Sequence, residues 1–300
     1  MVHEIDGGGG LVPPEETRDG PRFDVLHRTV FEYGAPVDAS VNLLHLEPRT
    51  FPFQRTISAL LRVLPATRLR RFHDLFDNVT HHFEIARMHE RLEVESRVRV
   101  HNLPLVLSDV SREAGLEEID HPEARELTWA YLQESRFVSR HPEIWRQAID
   151  LTAAHHAIFD KAWAIMGWVF DEFGYEPGST KVNTHLEEAF ALRRGVCQDF
   201  THVMLGLCRA VDIPARYASG YLYNGPLDKL KGSQASHAWA EVYLPTLGWV
   251  GFDPTNNTLA DERYIKIAVG RDYDDVAPIR GTYRGTAHCR MTVTVEVSKV

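Results

Sequence analysis

The chain has 300 residues, 44% of them hydrophobic and 25% charged, with a formal net charge of −9 at pH 7. That length exceeds the usual single domain, and that composition is the one of an ordinary soluble globular protein. The acidic balance argues against nucleic acid as the main partner, and no apolar run approaches the roughly 20 residues of a membrane span.

The three cysteines, Cys197, Cys208 and Cys289, are an odd count without paired spacing. This excludes a disulfide framework or a CxxC metal site as an organising principle, and reduced thiols suit a cytoplasmic location. The opening segment, with Gly7-Gly8-Gly9-Gly10 and Pro13-Pro14-Glu15-Glu16, lacks the charged and apolar regions of a signal peptide. Residues 1–22 therefore read as a flexible tail.

From Phe23 to His101 the pattern is strand-like, and this stretch is expected to form an antiparallel β module. Val25–Tyr33, Val41–Leu46, Arg55–Val63, His81–Ala86 and Arg91–Val100 are separated by turn residues. Leu92–Val100 alternates apolar with polar and so has one wet face. Arg62, Arg68, Arg70 and Arg71 cluster here, and scattered solvated arginines explain them without a ligand. After Asn102 the composition shifts to helix. Pro122–Gln133, Pro142–His155 and Ile158–Phe173 are expected spans, and Thr184-His185-Leu186-Glu187 has the T-x-x-E form of a capping box. A further helix starts near Cys197 and stops before Asp212-Ile213-Pro214. Strands are then expected at Ala215–Leu222, Ser236–Leu244 and Trp249–Asp253, with one more in the tail from Thr286 to Val300. Helices followed by strands indicate an α+β domain from 102 to 300, with helices packed on an antiparallel sheet.

Three short blocks carry the chemistry. Cys197 sits where a glycine-containing turn meets a helix N-terminus, which faces the positive end of the helix dipole toward the sulfur. Gly195 allows a sharp chain reversal beside it and leaves room for a substrate. Asp199, in the first turn, reads as a carboxylate favoured at a helix N-terminus. His237 stands at a strand start in Ser236-His237-Ala238-Trp239, and Asp253 ends the next strand before Pro254. A free thiol with a pKa of about 8.5 is only a few per cent thiolate at neutral pH. A histidine partner stabilises the thiolate, and a carboxylate fixes the imidazole tautomer and orientation. Cysteine, histidine and aspartate together point to a thiol acyl-transfer enzyme. The bland alternatives are a small buried cysteine, one structural histidine among 16, and a turn aspartate.

A register count sets a condition on this reading. If Pro245–Gly248 forms a symmetric loop, Leu244 faces Trp249 and Asp253 falls opposite Ala240. His237 and Asp253 then point to opposite faces. They meet only if a bulge or an asymmetric loop shifts the register by an odd number.

The blocks Leu192–His202, Ile213–Tyr221, His237–Trp239 and Gly248–Thr255 resemble the bacterial transglutaminase-like superfamily. Asp24–Val100 is similar to the N-terminal module that precedes this domain in many bacterial members, and Gly270–Pro278 with Gly281–Gly285 looks like their C-terminal segment. The resemblance implies a papain-like core with Cys197 as nucleophile, His237 as general base and acid, and Asp253 as the orienting residue. It implies acyl transfer at peptide or protein amides, by hydrolysis, deamidation or transamidation. No motif implies a cofactor or a metal, and no acidic loop of EF-hand spacing supports calcium. The Cys197 N–H is the natural oxyanion donor. Gln198 and Tyr175 are chemically able to supply a second, though a structural role suits each. Tyr221, Trp239 and Trp249 line a groove or pack in the core.

Overall fold

Alternating apolar and polar residues fold the first part of the chain into strands, and the computed structural model describes residues 20–107, 112–225, 236–285 and 288–300. The expected tail lies outside the described residues up to position 19. The strands are β1 (Arg22–Val37), β2 (Ala39–Leu44), β3 (Gln54–Leu64), β4 (Arg70–His73), β5 (Val79–Ile85) and β6 (His89–Asn102). β6 pairs antiparallel with both β1 and β3, and β5 pairs antiparallel with both β2 and β4. The two sheets share a core of Tyr33, Leu44, Val63, Phe83, Leu92 and Val94, which makes the module a small sandwich.

The C-terminal strands β14 (Ile279–Arg284) and β15 (Cys289–Lys299) belong to this sandwich. β14 adds to β2, and β15 runs along β1 from Phe23↔Lys299 to Tyr33↔Cys289. The expected unit 102–300 is therefore corrected at its end. Alternation marks a segment as a strand but does not name the sheet edge that accepts it.

Helices follow as α1 (Pro122–Thr128), α2 (Pro142–Thr152), α3 (Ile158–Glu172), α4 (Leu186–Leu192) and α5 (Cys197–Ala210). The span expected to reach Gln133 ends as a helix at Thr128 and continues as a 3-10 turn over Trp129–Leu132. The capping box expected at Thr184 and Glu187 is not formed. His185 is the residue that precedes α4, the Thr184 hydroxyl accepts the Lys181 N–H at 2.9 Å, and the Glu187 carboxylate accepts from Ser139. A local bond from Lys181 and the tertiary partner Ser139 outcompete the cap.

The central sheet has the order β12–β11–β10–β9–β13, formed by β9 (Ala215–Leu222), β10 (His237–Leu244), β11 (Gly248–Asp253), β12 (Thr258–Leu259) and β13 (Tyr264–Gly270). Two-residue periodicity divides its faces. Ala238, Ala240, Val242 and Leu244 join Phe200, Val203, Met204 and Leu207 of α5 in the main core. His237, Trp239, Glu241 and Tyr243 alternate with them and so share the other face. This is the mixed α+β arrangement of helices on an antiparallel sheet.

The sandwich grips β13 through side-chain amides. The Gln54 amide bonds both the N–H and the carbonyl of Lys266 (2.8 and 2.7 Å), and Asn78 does the same to Val269 (2.8 and 2.7 Å). Asn102 donates to the carbonyls of Glu262 and Tyr264. Phe23, Val25, Val98 and Val100 pack on Tyr221, Ile265 and Ile267, and the Tyr221 hydroxyl bonds His27 Nδ1 at 2.8 Å.

Candidate active site

Cys197 is the first residue of α5 and is half-buried. The chain enters it from a short parallel pairing of β7 (Gly174–Tyr175) with β8 (Arg194–Gly195). The sharp turn expected at Gly195 is made two residues earlier by Arg193, whose φ of 53° is left-handed. Gly195 serves a different purpose: a Cβ there would lie 2.4 Å from the Asp199 carboxylate. That carboxylate accepts the Val196 N–H at 2.8 Å and the Thr180 hydroxyl at 2.6 Å, tying the loop before α5 to its first turn. Asp199 is a strut, and burial pushes its carboxyl above the ordinary value. The Val196 carbonyl accepts from Asp199 and Phe200, leaving the N–H groups of Cys197 and Gln198 without a hydrogen bond among the described residues.

The hairpin that carries the histidine and the aspartate has an odd register. Leu244 pairs with Gly248, Tyr243 with Trp249 and Ala240 with Phe252. The loop is Pro245–Leu247, one residue shorter than the symmetric case, and Gly248 leaves it with φ 83°. The ladder itself is regular, so the odd shift comes from the loop and not from a bulge. Continued by one step, this register sets Asp253 across from Trp239 and therefore on the face of His237.

His237 and Asp253 are fully buried, with Nε2 and Oδ2 2.7 Å apart. The same oxygen accepts the Tyr264 hydroxyl and the Asn256 amide, each at 2.7 Å, while Oδ1 accepts the Thr255 N–H at 2.8 Å. Burial alone would raise the Asp253 carboxyl, but the charge of His237 and these hydrogen bonds hold it below its ordinary value. Burial alone would likewise lower His237; the charge and hydrogen bond of Asp253, with a contribution from Cys197, push it up to about 10. The other ring nitrogen, Nδ1, is buried and makes no well-aligned hydrogen bond. The Cys197 thiol lies beside the ring, and loose alignment at such a contact is common before substrate binds.

The remaining expected residues divide by position. Trp239 is 1% exposed, stacked on His237 (6.2 Å between ring centres) and edge-on to Tyr264 (5.3 Å), so it is buried beside the site. Tyr221 is buried at the contact with the sandwich. The Gln198 amide is committed to the Val182 carbonyl at 2.8 Å. Tyr175 is close enough to Cys197 and Asp253 that burial and both charges raise its hydroxyl. Tyr264 and Asn256 were not expected. Asn256 follows Asp253 closely enough for turn chemistry to suggest it, whereas nothing local marks Tyr264. Among the described residues no group of three or more His, Cys, Asp or Glu side chains is arranged to hold a metal ion.

Comparison with known proteins agrees with this architecture. Residues 146–254 match the core model of the transglutaminase-like superfamily, and residues 23–101 match the bacterial transglutaminase-like N-terminal region. An uncharacterized protein of Mycobacterium leprae is 33% identical over 294 residues, covering 93% of this chain and 99% of that one.

The chain belongs to the transglutaminase-like superfamily.

Another relative, named a protein-glutamine gamma-glutamyltransferase of Pseudomonas aeruginosa, is 29% identical over 144 residues, 41% of this chain and 21% of that one. A crystal structure of a candidate cysteine protease from Cytophaga hutchinsonii has the same fold, with a TM-score of 0.78 and 22% identity. It aligns over 94% of this transglutaminase-like chain and 91% of its own.

Proposed function

We propose that this protein is a thiol-dependent acyl-transfer enzyme that hydrolyses peptide or isopeptide amides. Cys197 is the nucleophile, His237 the base and acid, and Asp253 the orienting carboxylate. The observation that carries this reading is the buried His237–Asp253 pair, 2.7 Å apart, beside a half-buried cysteine at a helix start.

In this reading the thiol proton resides on His237 Nδ1, and the imidazolium faces the thiolate. Sulfur attacks the amide carbon, a C–S bond forms, and the carbonyl π pair moves to oxygen. The unbonded Cys197 N–H stabilises that oxyanion, an interaction worth roughly 2.7–4 kcal/mol per donor. Collapse breaks the C–N bond, and the leaving nitrogen takes the His237 proton. The thioester is then attacked by water, whose proton returns to His237; collapse breaks the C–S bond, releasing the acid and leaving the thiolate on Cys197. Asp253 keeps Nε2 protonated and the ring in one tautomer throughout.

Iodoacetamide labelling at mildly acidic pH tests the nucleophile. Cys208 is fully buried with its thiol pushed up to about 12, so the informative comparison is the exposed Cys289. Preferential alkylation of Cys197, lost in His237→Ala, is the expected result. Equal slow reaction at Cys197 and Cys289 would indicate a catalytically silent binding module. A second reading, with an amine in place of water, draws on the relative named as a gamma-glutamyltransferase, which aligns with part of this chain. Trapping the thioester with a panel of amines and weighing adduct against hydrolysed product separates the two.

A further inference from the structure

Beyond His237, the same sheet face presents Trp239, Glu241 and Tyr243, and the last three line a cleft of about 890 Å³ between the sandwich and the central sheet. Cys197 and His237 do not line it. Its floor is a buried set of three charges. Glu241 accepts Lys266 Nζ on Oε1 at 2.6 Å and Arg216 on Oε2 at 2.7 and 2.8 Å. The three side chains are only 5%, 14% and 8% exposed. The Arg216 guanidinium lies over the Trp249 ring (4.2 Å) and Lys266 Nζ over Phe51 (4.3 Å).

Two cations share one carboxylate, so the formal charges of the floor leave one positive charge in excess; burial lowers Lys266 from its ordinary value, and the charge and hydrogen bond of Glu241 oppose that. Of the other acids of the cleft, Asp77 pairs with Arg49 and Asp261 with Arg263, Glu126 is exposed, where solvent screens it, and Glu262 is half-buried near Arg263. An ammonium has three donors, and Lys266 uses one of them on Glu241. Excess charge in a buried site is costly unless an anion meets it. The rim is of the opposite kind: Leu75, Leu127 and Trp129 are 89%, 60% and 66% exposed around the opening. Large apolar side chains gathered on a surface mark a binding site more often than chance exposure.

We infer that this cleft is a second binding site, for the C-terminal residues of a peptide. The free carboxylate meets Lys266 and Arg216, and the last side chain with the preceding residues covers the apolar rim of Leu75, Leu127 and Trp129. A single small acid would satisfy the floor but leave the rim uncovered; a chain reaches both. The site does not depend on the chemistry proposed for Cys197.

Trp129, Trp239 and Trp249 line the cleft and supply a fluorescence signal, which calorimetry can corroborate. The probe is an N-acetylated tetrapeptide of three alanines ending in phenylalanine, titrated as the free acid and as the C-terminal amide. The acid is expected to bind saturably, and the amide roughly tenfold more weakly or worse, since charge-assisted hydrogen bonds are lost. Lys266→Met is expected to abolish the preference for the acid, and Cys197→Ser to leave it unchanged, which separates this site from the thiol. Equal affinity of acid and amide, or no saturation by either, overturns the proposal. N-acetylphenylalanine binding as tightly as the tetrapeptide would overturn the assignment to a chain. If Lys266→Met fails to fold, the acid–amide comparison on the unaltered protein still decides.

Discussion

Tyr264 donates its hydroxyl to Asp253 Oδ2, the oxygen that also holds His237 Nε2, and both contacts are 2.7 Å. Tyr264 opens β13, the strand that Gln54, Asn78 and Asn102 of the sandwich grip by its backbone. The N-terminal module thus braces the strand that braces the aspartate.

Tyr264→Phe removes one buried hydrogen bond to a charged oxygen, at a cost of about 1–3 kcal/mol. The expected result is a folded protein in which Cys197 alkylation at mildly acidic pH is slowed but not abolished. Unchanged alkylation would show that Tyr264 does not help to position His237 through Asp253.

Stability should depend on pH through the same pair. His237 has a folded value of about 10, above its ordinary 6.5, so its contribution is fully present below about 6.5 and is lost as pH rises through about 10. Asp253 is depressed from 3.8, so its contribution is present above that value and is lost as pH falls through its lower folded value. Asp253→Asn removes the main support of the raised histidine. Thermal melts from neutral to alkaline pH are expected to fall for the unaltered protein and to flatten in Asp253→Asn.

Gly248 lets the three-residue loop close at φ 83°, a conformation that strains any side chain. Gly248→Ala is expected to cost about 1 kcal/mol or more, since alanine at positive φ loses more than it gains in the unfolded state. Because this loop sets the odd register, Cys197 reactivity should fall along with the melting temperature. A stability loss with reactivity fully kept would show that the register survives without the glycine.

Gly195→Ala places a Cβ against the Asp199 carboxylate, which holds Val196 N–H and Thr180. Overpacking of this kind typically costs about 1–3 kcal/mol. The start of α5 should shift, and Cys197 alkylation should slow while the far-ultraviolet circular dichroism stays near that of the unaltered protein.

Local sequence determined a good deal of this protein. The period of apolar residues marked strand and helix, the break before Pro214 ended α5, and Cys197, His237 and Asp253 stood out as residue types in recognisable settings. These signals travel over a few residues, because backbone geometry and side-chain direction repeat at short range. Tertiary structure decided the rest. The pattern of the tail from Thr286 to Val300 announced a strand but did not say that β15 would pair with β1 in the first sheet. The T-x-x-E at Thr184 was overruled by Lys181 and Ser139, and Gly195 was required by a carboxylate rather than by a turn. Whether His237 and Asp253 could touch hung on one residue of loop length, because side chains on a strand change face at every step. Tyr264, which shares the aspartate with the histidine, reaches it from another strand, and only folding brings the two together.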